Sequence, residues 1–151
     1  MTIRLVAVGA ALALLITAGP ACRRVRGVSG TVPPPDVAAP PADATVTASG
    51  LALRVLARGG HGRHPSPTSR MLVNYTGWTT DGTIIDGAPI GSDPAEVTMD
   101  ELMLGWQEGL RMMVEGDKYR LWIPPTLTHQ LDPSKPQGML VYDITLVRIV
   151  D

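Results

Sequence analysis

The stretch "LMLGWQEGLRMM", Leu102–Met113, decides how the chain is to be read. Met103, Trp106, Leu110 and Met113 recur at the three- and four-residue steps that align side chains on one face of an α-helix, while Gln107, Glu108 and Arg111 point elsewhere. That apolar face must be covered by a core. A tryptophan on such a face is more often packing than site, so from this stretch alone Trp106 reads first as core. Gly105 and Gly109 are unusual inside a helix, where each is about 1 kcal/mol less favourable than alanine. Such a pair points to a close approach of another backbone.

On either side of this helix the signals are those of strands. "LALRVLA" (Leu51–Ala57) alternates apolar and other residues, and "GGHGRHPSPTS" interrupts it. "RMLVNYTGWTT" (Arg70–Thr80) is rich in β-formers, Asp81-Gly82 is a hairpin turn signal, and "TIID" (Thr83–Asp86) returns as the partner strand. "AEVTM" (Ala95–Met99) precedes the helix, and "VEGD" (Val114–Asp117) turns after it. "KYRLWIPP" is then a strand stopped by Pro124 and Pro125, and "MLVYDITLVRIV" (Met139–Val150) closes the chain. Four or five strands with one main helix predict an α+β fold, an antiparallel sheet covered on one face by a single amphipathic helix.

A chain of 151 residues accommodates one domain with extensions. The formal net charge is −1 and the basic residues are scattered, which leaves no stripe able to neutralise phosphates and excludes nucleic acid as a partner. Cys22 is the only cysteine, so neither an intrachain disulfide framework nor a cysteine-based zinc site is available. His61 and His64 are spaced like metal ligands but lie among Gly, Arg and Pro with no acidic or cysteine ligand beside them, which reads as a solvated loop. Met99, Met103, Met112 and Met113 suit core and pocket packing and call for no copper.

Residues 1–21 read as an export signal, with Arg4 in a positive leader and an apolar run from Leu5 to Ile16 that matches a secretory h-region of about 7–15 residues. Two outcomes are open at its end. Cys22 resembles the lipidated cysteine of a bacterial lipoprotein, although Gly19 and Pro20 depart from that pattern. Cleavage after Ala21 by an ordinary signal peptidase would instead leave a free Cys22 in the periplasm. Residues 22–46, with Pro33, Pro34, Pro35, Pro40 and Pro41, are expected to form a disordered Pro/Ala-rich tether, and the folded domain to run over 47–151.

"TASGLALRVLARG", "VNYTGWTTDGTIID", "LGWQEGLRMMVEGDKYRLWIPP" and "LVYDITLV", in that order, resemble the FKBP-type peptidyl-prolyl cis-trans isomerases. The resemblance implies a twisted, half-open antiparallel sheet wrapped around one short helix, and a substrate pocket floored by Trp106. It implies that Tyr75 lines that pocket, that Asp86 forms a polar edge hydrogen-bonded to Tyr75, and that the Met103 N–H binds a substrate carbonyl beside Leu102. No cofactor or metal is implied. The partners implied are proline-containing peptides, unfolded exported proteins and a macrolide ligand. The chain departs from the family pattern at Ile85, where a pocket Phe is usual, at Val97, where an aromatic is common, and at His129, where a Tyr usually donates a hydrogen bond. Tyr142 stands in place of a back-wall Phe. These departures imply a weaker or differently specific isomerase. The alternative is a proline-peptide-binding or chaperone module of the bacterial envelope with little turnover.

Overall fold

The computed structural model describes residues 32–129 and 132–150. The export signal, Cys22 and the tether up to residue 31 lie outside the described residues. Seven antiparallel strands form one sheet: β1 (Thr45–Val46), β2 (Ala52–Ala57), β3 (Arg70–Thr79), β4 (Ile84–Ala88), β5 (Ala95–Thr98), β6 (Lys118–Ile123) and β7 (Leu140–Ile149). Their order across the sheet is β1-β2-β6-β7-β3-β4, with β5 also on β3, and the one α-helix among the described residues, α1, spans Leu104–Arg111. The fold is therefore the α+β architecture expected. The strand number exceeds the four or five anticipated for two reasons. β1 arises inside the supposed tether, and β4 and β5 divide one edge of β3 between them. Tyr75 to Trp78 pair with Ala88 to Ile84, whereas Arg70 to Val73 pair with Thr98 to Ala95. The segment between, with Pro89, Gly91 and Pro94, cannot keep a ladder going and leaves the sheet there.

Alternation along each strand separates two faces. Leu53, Tyr119, Leu121, Ile123, Leu140, Tyr142, Ile144 and Leu146 turn toward α1 and join Trp106, Leu110 and Met113 in the main core. The intervening Ala52, Trp122 and Val141 form a smaller cluster of their own. The two helix glycines explain how α1 seats on the first face. A Cβ on Gly105 would lie 2.4 Å from Ile123 Cγ2, and one on Gly109 would lie 2.6 Å from Leu121 Cδ1. The helix is thus pressed against β6 more closely than any side chain allows, and Trp106 is carried down into the concave side of the sheet.

The expected tether requires correction over residues 32–46. Asp36 accepts hydrogen bonds from Arg120 Nη1 at 2.6 Å and Arg54 Nη1 at 3.3 Å, and its carbonyl accepts from Trp122 Nε1 at 2.9 Å. Arg120 also makes a bidentate pair with Asp143, at 2.6 and 2.9 Å, and Arg54 pairs with Asp43. Val37 and Ala44 pack on the Trp122 cluster, and β1 extends the sheet beyond β2. A proline-rich composition signalled extended chain, but the back face of the sheet presents two arginines and an indole N–H that need acceptors, and this strap supplies them. The folded unit accordingly begins upstream of Thr47.

Candidate active site

On the helix side, the concave sheet and α1 enclose an open cavity of about 230 Å³. Trp106, in the first turn of α1, lines this cavity with 4% of its surface exposed. The Tyr75 ring from β3 meets it edge-on, with centroids 5.0 Å apart and planes at 83°, and the Tyr142 ring from β7 does the same at 5.2 Å and 80°. Tyr142 is held by its cross-strand partner Gly77, where a Cβ would lie 2.3 Å from the ring. No other residue type leaves room for this ring.

The Tyr75 hydroxyl donates to Asp86 at 2.9 Å, and Asp86 also accepts from the Gly87 N–H at 2.8 Å. Partial burial, followed by the hydrogen bond to and the negative charge of Asp86, pushes the Tyr75 pKa up to about 12. Tyr75 is therefore a neutral donor tied to a carboxylate at the cavity edge. Ile85 on β4 and Val97 on β5 line the wall as aliphatic, half-buried residues.

Leu102 and Met103 form the lip. The Met103 carbonyl accepts the Trp106 and Gln107 N–H groups at 3.0 and 3.1 Å, opening the helix, and the Gln107 side chain clasps the Leu102 carbonyl at 2.7 Å. The Met103 N–H donates no hydrogen bond within the described residues, as befits the residue that caps the helix. His129 is exposed at the rim.

Every site residue expected from the sequence thus borders this one cavity, apart from Cys22, which lies outside the described residues. The sequence reading missed Glu101, Lys135, Pro136 and Leu140. Leu140 was within reach, because it precedes Tyr142 by two residues and so shares its strand face. Glu101 adjoins the named Leu102. Lys135 and Pro136 come from an irregular loop, whose path no periodicity encodes. Among the described residues no group of three or more His, Cys, Asp or Glu is placed to hold a metal ion.

With this geometry in view, comparison with known proteins decides the family. The family model described as FKBP-type peptidyl-prolyl cis-trans isomerase matches residues 61–147. The chain belongs to this family. It is 36% identical over 113 residues to the macrophage infectivity potentiator of Trypanosoma cruzi, covering 72% of this chain and 58% of that protein. It is 35% identical over 108 residues to the FKBP-type 22 kDa peptidyl-prolyl cis-trans isomerase of Escherichia coli, covering 69% and 52%. The crystal structure of FkpA from Escherichia coli superposes with a TM-score of 0.65 at 29% identity, covering 72% of this chain and 52% of that one. The chain thus spans little more than half the length of these relatives. The FKBP-type match begins at residue 61, after β2, although β2 pairs with β6 along its length and belongs to the same sheet.

Proposed function

We propose that the cavity binds Xaa-Pro segments and catalyses rotation about the Xaa-Pro bond. The observation that carries this reading is the pair of tyrosine rings set edge-on against Trp106 in the lining of an open, largely apolar cavity, with an unused Met103 N–H at its lip. Resonance keeps the Xaa-Pro amide planar and polar, and turning it costs about 18–20 kcal/mol. At the twisted state resonance and much of the polarity are lost. An apolar enclosure for the proline ring therefore disfavours the planar amide more than the twisted one, and this difference lowers the barrier. Met103 N–H holds a substrate carbonyl in place while the other half of the peptide turns. Tyr75 and Asp86 fix each other at the edge. Ile85 and Val97 offer the proline no ring face, so catalysis is slower than an all-aromatic cavity would give.

Exchange NMR on Xaa-Pro peptides with the chain from Cys22 to Asp151 tests this. Cis and trans signals are expected to exchange faster in proportion to added protein, and a macrolide that fills the cavity should suppress the effect. Binding without exchange would identify a proline-peptide-binding or chaperone module instead, and neither would sink the reading.

The natural substrates follow from the leader: unfolded exported proteins in a bacterial envelope, with the domain held to a membrane by lipid on Cys22. Cys22→Ser is expected to move the protein from the membrane fraction to the soluble one or to stall its processing. Recovery of soluble wild-type protein with an unmodified Cys22 at its N-terminus would leave export without an anchor.

A further inference from the structure

We propose that the Tyr142 hydroxyl is a substrate hydrogen-bond donor, engaging a peptide carbonyl when a prolyl segment fills the cavity; this rests on the function proposed above. The ring packs over Gly77, meets Trp106 edge-to-face at 5.2 Å and lies tilted at 47° to Tyr75 at 6.3 Å, so packing on three sides sets where the hydroxyl sits. Tyr142 is only 5% exposed and borders the cavity, and its hydroxyl makes no hydrogen bond among the described residues. The carboxylate that could serve it, Asp86, is already engaged by Tyr75 through one oxygen and by the Gly87 N–H through the other. Burial, reinforced by the nearby Asp86 and Tyr75, pushes the Tyr142 pKa up, which keeps the phenol protonated.

The chemistry of the ligand matches this donor. A proline nitrogen carries no hydrogen, so an Xaa-Pro unit presents its flanking carbonyls as acceptors and has no backbone donor to offer between them. Among the described residues the cavity lining holds the unpaired Met103 N–H at the lip and the Tyr142 O–H, besides the Trp106 indole N–H, which is buried and also without a partner. A peptide that displaced solvent from the hydroxyl without pairing to it would leave a buried donor unsatisfied, which is unfavourable. Segments that place a carbonyl at the back wall are therefore selected over those that place a methylene there.

Tyr142→Phe keeps the ring and removes the donor alone. Two readouts on the chain from Cys22 to Asp151 test the assignment: thermal unfolding, and the affinity and exchange rate of an Xaa-Pro tetrapeptide by NMR. The midpoint of unfolding is expected to stay level or rise, because the hydroxyl has no partner to lose among the described residues. Peptide affinity and kcat/KM together are expected to fall about three- to tenfold. Unchanged or tighter binding by the folded variant would overturn the proposal, as would a lowered unfolding midpoint, which would show a structural partner. A wild type that isomerises prolyl peptides while the variant matches it refutes the donor role alone. A wild type with neither binding nor exchange refutes the function and the donor together.

Discussion

Replacing Trp106 by leucine is expected to lower kcat/KM for Xaa-Pro isomerisation about tenfold to a hundredfold while the domain stays folded. The indole makes two edge-on contacts, at 5.0 and 5.2 Å, each worth about 0.5–1.5 kcal/mol beyond area burial. Their loss frees Tyr75 and Tyr142 and removes the flat surface beneath the proline ring. A barrier change of about 1.4 kcal/mol is tenfold in rate, which sets the expected range. Leucine is chosen because truncating a buried tryptophan to alanine costs about 3–5 kcal/mol of stability and would confuse unfolding with lost chemistry. Exchange NMR at matched folded concentration gives the measurement. Wild-type turnover by a folded Trp106→Leu variant would reduce Trp106 to a core residue.

Removing the strap is expected to have the largest effect on stability. A chain starting at Thr47 uncovers Trp122 and Val141, both fully buried in the intact domain, and strips Arg120 and Arg54 of Asp36. Hydrogen bonds to charged groups contribute about 1.5–3 kcal/mol each, and exposing the indole adds to this, so a loss of about 3–5 kcal/mol is expected. At about 4–8 °C per kcal/mol for a domain of this size, the unfolding midpoint should fall by more than about 10 °C. Asp36→Ala should reproduce part of the loss, about 1–3 kcal/mol, because Arg120 keeps its bidentate partner Asp143. Calorimetry of the chain from Cys22, the chain from Thr47 and the point variant checks all three. Equal midpoints would show that the strap rests on the sheet without holding it.

The two cases show what a sequence discloses. The helix face and the strands were legible because burial on one side imposes a period, whereas the period alone marked Trp106 as core, and Tyr75, Asp86, Trp106 and Tyr142 became legible as cavity residues only through the resemblance of the segments that carry them to the FKBP-type family. The strap was not. Its contribution is a handful of polar contacts from a segment without apolar periodicity, and Asp36 becomes meaningful only once Arg54, Arg120 and Trp122 are known to share the sheet's back face. Lys135 and Pro136 were hidden for the same reason: their place at the rim follows from the course of a loop and not from a repeating pattern.

The glycines of α1 also shape how this protein can change over generations. In most helices a glycine is an open invitation to improvement, since alanine adds stability in a single step. Here that step is closed at Gly105 and Gly109, because the added carbon would collide with Ile123 and Leu121. Escape demands a simultaneous smaller residue on β6, which would open a hole in the core beneath the very helix that carries Trp106. The lineage is therefore confined to a locally weak helix, and drift toward a sturdier one must travel through other parts of the sheet.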